Sequence, residues 1–402
     1  MIRSTSFMQR GTLSLLLVGV TINYIDRQTL SVLAPTLQKE LSFSSLEYSY
    51  IVNSFLVVYS IMYAVAGRMV DVFGTRHALG FAVIWWSVAQ ITHAYANGVG
   101  GLCASRALLA MGEAAIFPSL VKAVAEWFSP KQSGLAIGII DSGLSLGPIL
   151  APPLVVWITL HHGWRYAFLW TGLVGLLWAV VWLWFYRTPA AADLGKHKPE
   201  RFANRTPWAE IFRSRKVWAV AWSRFFGDPV WYFYLFWLPK YLTESKGLDL
   251  ESVGAFAWIP YAASLLGGVA GGASSTYLIR LGCAPLDSRM RVMLWSGMVV
   301  SLGVFSIFSS NLLWALFFIS AASFGMLSWG VNLETLPADI FPPSQVAQAV
   351  GLCGMMASAG GILFMAATGY IVQHFSYTPI WIASAVMYPI GFVILSLLRE
   401  NR

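Results

Sequence analysis

Gly67-Arg68-Met69-Val70-Asp71-Val72-Phe73-Gly74-Thr75-Arg76 joins two apolar runs, near 47–70 and 78–97, each long enough to cross a bilayer. A crossing takes about 20 residues of helix, because hydrocarbon offers exposed backbone groups no partner. Two crossings separated by so short a polar stretch must fold back on each other. Gly67 and Gly74 give the backbone freedom to turn and let helices approach. Asp71 can cap a helix start and attract basic groups on a neighbouring helix end. On spacing alone the stretch reads equally well as a positively charged loop on the cytoplasmic side.

The same reading extends outward to twelve spans. They fall near 12–36, 47–70, 78–97, 100–123, 133–158 and 165–186, then near 217–241, 252–279, 292–309, 312–334, 346–372 and 378–398. The 402 residues are 57% hydrophobic and only 11% charged, and the mean hydropathy is +0.65. A water-soluble domain carries about 25% charged residues, so lipid must solvate this chain. Nineteen Trp and sixteen Tyr suit membrane interfaces, where amphipathic aromatics collect. The first run is too long for a signal-peptide core and has no small-residue cleavage site, so it reads as a retained helix. The expected organisation is an N-terminal six-helix bundle (1–186), a basic linker (187–216) and a C-terminal six-helix bundle (217–402). The linker holds Arg187, Lys196, Lys198, Arg201, Arg205, Arg213, Arg215 and Lys216.

Charge placement sets the orientation. With both termini cytoplasmic, eighteen of the 26 basic residues fall in inside connections and tails, and four fall outside: Lys39, Arg165, Lys240 and Lys246. That asymmetry is the positive-inside pattern. It also accounts for the net charge of +8, so the basic residues form no stripe for nucleic acid. The three cysteines imply no disulfide framework, and the six histidines have no metal-ligand spacing. The halves also echo each other: Gly134-Leu135 and Gly143 recur at one offset as Gly351-Leu352 and Gly360. Parallel halves of this kind place a substrate site near the bilayer midplane and alternate access around it.

Gly67, Asp71, Gly74 and Arg76 resemble the loop signature of the major facilitator superfamily, with a degenerate echo at Gly272…Arg280-Leu281-Gly282. Within it, four stretches resemble the anion:cation symporter family, especially its hexuronate and aldonate transporters. They are Asn23-Tyr24-Ile25-Asp26-Arg27, Gly112-Glu113-Ala114-Ala115-Ile116-Phe117-Pro118, Asp228-Pro229-Val230-Trp231 running to Trp237-Leu238-Pro239-Lys240, and Leu336-Pro337-Ala338-Asp339-Ile340-Phe341-Pro342. The resemblance implies an all-α membrane protein of twelve helices in two pseudo-symmetric bundles, placed in a bacterial inner membrane. It further implies a monomer that carries a sugar acid with protons and needs no cofactor. One departure is Trp127-Phe128-Ser129-Pro130-Lys131-Gln132-Ser133, where the family continues Trp-Phe-Pro with an acidic-basic pair. Gly143-Leu144-Ser145-Leu146-Gly147-Pro148 partly matches a motif of proton-driven drug exporters, but Ala151-Pro152 replaces its closing glycines.

Four charges stand where charges are costly: Asp26 and Arg27 in the first span, Arg106 and Glu113 in the fourth. Each costs about 2.5–3.5 kcal/mol at a helix centre, so it pairs, faces water or serves function. Arg106 and Glu113, seven apart, share one helix face. The bland reading is an ion-pair cluster that fixes two helices. The functional reading makes Arg27, with Arg106, the clamp for a carboxylate, because guanidinium is planar, bidentate and always charged. Asp26 and Glu113 then take the coupling protons. Tyr24, Tyr59, Trp231, Tyr234 and Asn332 are candidate sugar contacts, and each is as readily interface packing; Asn332 leads because an amide within a span needs partners. Arg224 is expected to pair with Asp228, Glu334 and Asp339 to lie toward the cytoplasmic end, and Lys122 to snorkel. A drug exporter and a non-transporting membrane sensor or enzyme are the alternatives. The exporter lacks a need for paired arginines, and no catalytic constellation or soluble domain supports the other.

Overall fold

A computed structural model describes residues 2–189 and 208–397. The central part of the expected linker, with Lys196, Lys198, Arg201 and Arg205, lies outside the described residues. The chain divides into two compact units, Met1–Glu200 with Asp249–Ala255, and Arg201–Leu248 with Phe256–Arg402.

The first unit holds α1 (Ile2–Leu41), α2 (Ser45–Thr92), α3 (Val99–Glu113), α4 (Ile116–Trp127), α5 (Pro130–Asp141), α6 (Gly143–His162) and α7 (Trp164–Phe185). The second holds the short α8 (Trp208–Arg213), then α9 (Arg215–Lys246). After α10 (Leu250–Phe256), which falls mostly in the first unit's share of the chain, come α11 (Ile259–Arg280), α12 (Pro285–Ser301), α13 (Leu312–Ile340), α14 (Pro343–His374) and α15 (Thr378–Ser396). Three expected spans are interrupted, so that α3–α4, α5–α6 and α10–α11 each make one crossing in two pieces. Counting the two limbs of α2 separately gives twelve membrane-length rods among the described residues. Seven of these are apolar enough on their own to cross a membrane. Neither α1 nor α9 is among those seven, and these carry Asn23, Asp26, Arg27 and Gln28, and Arg224 and Asp228, near mid-length.

The reversal read from Gly67–Arg76 lies at one residue. α2 runs 48 residues, with Gly74 alone outside helical geometry at φ 73°, ψ 157°. Its two ends share one end of the unit. Ser45 follows closely on Leu41, while His93 stacks on Phe168 at 5.0 Å and Phe168 meets Trp164 edge-on at 6.0 Å. The Trp164 indole in turn donates to Glu40 at 2.6 Å. Arg76, just past Gly74, lies at the far end, where its guanidinium donates to Leu183 O and its own carbonyl accepts from Trp182. Lys122 extends to the turn and finds partners there. It donates to Val70 O at 2.8 Å and to Asp71 at 3.2 Å, because the turn brings a carbonyl and a carboxylate within its reach.

Glycines set the packing where backbones nearly touch. A Cβ on Gly147 would lie 2.4 Å from Tyr24 Cβ and 2.8 Å from Thr21 O, and one on Gly143 would strike Val20. The exporter-like motif is therefore the seam between α6 and α1. At the recurring offset, a Cβ on Gly360 would meet Phe225 O at 2.2 Å, so α14 is seated on α9 as α6 is on α1. Gly112 closes α3 onto Ala82 and Trp86 of α2, and Gly271 closes α11 onto Ser328 of α13. Small residues at such crossings are what lipid-embedded helices use in place of a hydrophobic driving force.

The two loop glycines therefore differ. Gly67→Ala should leave stability unchanged, since a Cβ there meets nothing within 4 Å. Gly74→Ala should cost about 1–2 kcal/mol, the penalty for an L-residue held at positive φ, read as a lower thermal unfolding midpoint in detergent.

Candidate functional site

The four charged residues singled out within spans come together inside the first unit. α1 turns Asp26 and Arg27 inward because Gly147 admits its backbone at Thr21–Ile25, one turn earlier. α3 carries Arg106 and Glu113 on its buried face, pressed to α2 by Gly112. Arg27 Nε donates to Glu113 Oε2 at 2.6 Å, with the two side chains 5% and 0% exposed. A pair this dry is weak evidence for stability, since desolvating both ions consumes most of the attraction, yet removal of one partner strands the other. Among the described residues, Arg27 Nη2 and Glu113 Oε1 are buried and make no hydrogen bond of regular geometry, with Tyr59 beside the one residue and Asn23 beside the other.

Rings enclose the guanidinium of Arg27. Its Cζ lies 4.8 Å from the centroid of Tyr24, 5.0 Å from that of Phe55 and 4.7 Å from that of Tyr59. With its faces covered and Nε occupied, the group keeps only its Nη edge for another acceptor. Arg106 is fully buried, 4.8 Å from the Phe55 centroid. Asp26 is fully buried as well, beside Thr171 and Trp86 and within electrostatic reach of Arg106 and Glu113. Gln90, also buried, donates to Thr171 at 2.9 Å and approaches Asp26 O at 3.5 Å. Asn23 stands beside Glu113. Two acids and two bases thus balance within a few side-chain lengths, screened from water and lipid.

The model of the Major Facilitator Superfamily matches residues 16–333. The chain belongs to this superfamily. It is therefore a transporter rather than an enzyme, and a multi-pass membrane protein. The hexuronate transporter of Escherichia coli (strain K12) is 30% identical over 406 residues, covering 97% of this chain and 94% of its own length. The galacturonate transporter of Dickeya chrysanthemi is 35% identical over 274 residues, covering 65% of this chain and 79% of its own. Crystal structures of a bacterial homolog to the human lysosomal transporter Spinster share the fold. The unoccupied, inward-facing one has a TM-score of 0.74 at 18% identity, covering 97% of this chain and 95% of that one.

The remaining candidates of this facilitator divide by unit. Tyr24 and Tyr59 belong to the Arg27 cage. Asn332, Trp231 and Tyr234 lie in the second unit. Asn332 Nδ2 donates to Ser328 O at 2.8 Å and Gly271 O at 3.2 Å, which ties α13 to α11. Tyr234 is buried against Phe233 and Trp381, and Trp231 meets Tyr261 edge-on at 6.3 Å. The second unit has its own ion cluster: Arg224 donates to Asp228 at 2.8 Å and approaches Glu334 at 4.0 Å. Asp339 pairs with Arg289. In the turn signature, Asp71 accepts from Lys122, Arg76 is anchored on Leu183, and Thr75 donates to Glu126 at 2.9 Å. Phe55, Gln90 and Thr171 were not among the sequence candidates. Gln90, an amide inside a span, carried a readable signal. Phe55 carried only its spacing, four residues before Tyr59 on the same helix face.

Arg27→Gln should destabilise the purified protein by about 3–5 kcal/mol, the cost of a buried carboxylate left alone. Arg27→Gln with Glu113→Gln should recover most of the loss. A double-mutant cycle on thermal unfolding reads the coupling, and a double variant whose loss equals the sum of the two single losses would deny it.

Proposed function

We propose that this facilitator takes up a small organic anion, a sugar acid of the hexuronate or hexonate type, in symport with protons. It does so by alternating access, as a monomer in the bacterial inner membrane with both termini cytoplasmic. The observation that carries the reading is Arg27: Nε bound by Glu113, three rings around the guanidinium, Tyr59 beside it as a polar neighbour, and a buried Nη2 that makes no hydrogen bond of regular geometry. Such a group suits a carboxylate, which binds guanidinium through two parallel charge-assisted bonds. The rings of Tyr24 and Tyr59 suit the apolar face of a sugar. The names of the relatives, hexuronate and galacturonate transporters, support the same substrate class.

Coupling follows from charge. An anion moving inward against an inside-negative potential is opposed by about 2.3 kcal/mol per charge per 100 mV. A proton travelling with it removes that opposition. Glu113, once protonated, no longer holds Arg27 by charge and releases it to the substrate; when the substrate leaves, Glu113 gives up its proton and the pair re-forms. Asp26, buried at the same level, is the second acid able to take a proton. No bound metal or organic cofactor enters this scheme.

The test has two stages. Purified protein is screened by thermal shift against hexuronates, hexonates and glucarate, where a ligand at a hundred times its Kd adds about 2.7 kcal/mol of stability. Vesicles are then loaded and given a pH gradient, acid outside. D-galacturonate or D-glucuronate should accumulate uphill in wild type. Glu113→Gln and Asp26→Asn should lose accumulation while retaining counterflow exchange. Gradient-driven accumulation by Glu113→Gln removes its coupling role, and a panel without any stabilising sugar acid removes the substrate class.

A further inference from the structure

Phe55 has no polar atom and sits in mid-span, where a phenylalanine ordinarily does no more than fill space. Here it is 1% exposed and lies close to two permanent cations. Its ring centroid is 5.0 Å from Arg27 Cζ and 4.8 Å from Arg106 Cζ, and it stacks on Tyr59 at 5.5 Å with a 19° interplanar angle. Like charges so close in a low-dielectric interior repel strongly. Glu113 is bonded to Arg27 at Nε, and both Glu113 and Asp26 lie within electrostatic reach of Arg106. A phenyl face is the negative pole of the ring quadrupole and attracts guanidinium, most of all where both are desolvated. An aliphatic side chain of similar bulk would fill the space without that attraction.

We infer that Phe55 is a positioning residue of the anion site, its ring holding the guanidiniums of Arg27 and Arg106 at a fixed spacing so that Arg27 keeps its Nη edge turned to the substrate carboxylate. The inference rests on the reading of Arg27 as the carboxylate clamp. Phe55 touches neither substrate nor proton in this role. It acts through the two arginines, and its loss falls on affinity rather than on turnover. Tyr59, stacked on Phe55 and itself against Arg27, steadies the ring in turn. Because only the ring face matters, tyrosine and tryptophan can take the place of phenylalanine, whereas leucine and methionine cannot.

D-galacturonate uptake by wild type, Phe55→Leu, Phe55→Met, Phe55→Tyr and Phe55→Trp in vesicles decides it, with KM, maximal rate and thermal midpoint measured for each. Phe55→Leu should raise KM about tenfold, the effect of losing roughly one desolvated cation–π contact, with the maximal rate within about twofold. Phe55→Tyr and Phe55→Trp should bring KM back to within about threefold of wild type. Should Phe55→Leu fail to fold, Phe55→Met against Phe55→Tyr makes the same comparison. A KM that stays at the wild-type value in the aliphatic variants overturns the inference, as does one that follows thermal midpoint regardless of aromaticity. If wild type itself takes up no sugar acid, the carboxylate-clamp reading falls and this inference falls with it. If wild type transports and the Phe55 series is flat, this inference alone falls.

Discussion

Hydrocarbon gives a guanidinium nothing to bond to, and the first unit is arranged around that fact. Arg27 and Glu113 are buried, and an ion left there without its partner is strongly destabilising. Their bond at 2.6 Å requires α1 and α3 to present particular residues at one level. The glycines at 112 and 147 meet that requirement by bringing α3 against α2 and α6 against α1 with almost no side chain between. The aromatic cage, the burial of Asp26 and the amide of Gln90 beside it follow from the same close approach. A soluble protein could let water take part of this load; here the side chains carry all of it.

The pair is also poorly suited to being merely structural. A buried salt bridge returns little net stability over an apolar replacement, so a charge cluster of four residues in a membrane interior is costly to keep. The proposed cycle gives the cluster a use: acid ionised and bonded to Arg27, or acid neutral and Arg27 bonded to a substrate anion. Each state leaves no uncompensated charge, which is the condition for a site that must be loaded and emptied.

Much of this was legible in the residues. Twelve apolar windows and the glycine-bounded turn after the second gave the fold, because burial in lipid leaves few other solutions. Asp26, Arg27, Arg106 and Glu113 stood out because charge within a span is rare. What stayed hidden was whatever depended on which apolar faces meet. Nothing local distinguishes Phe55 from other mid-span phenylalanines; only the approach of α1 and α3 to α2 makes its ring a neighbour of two arginines. The break after Glu113 was hidden too, since Gly112 and Ala114 are as common inside membrane helices as at their interruptions. For Lys122 the sequence showed a lysine that must reach an end of its span, but not the carbonyl of Val70 that receives it, because the Gly74 turn sets that carbonyl's place.

The seams at Gly143 and Gly147, and at Gly360 in the other unit, have a mechanical meaning. Contacts made through long side chains can be exchanged rotamer by rotamer, and an interface built of them yields gradually. A backbone resting on a backbone has no rotamers to exchange. Helices joined in that way slide as a pair or not at all, so α1 with α6, and α9 with α14, behave as stiff double beams. The parts of each unit free to change state cheaply are then its polar side chains, and those are gathered where the charges are.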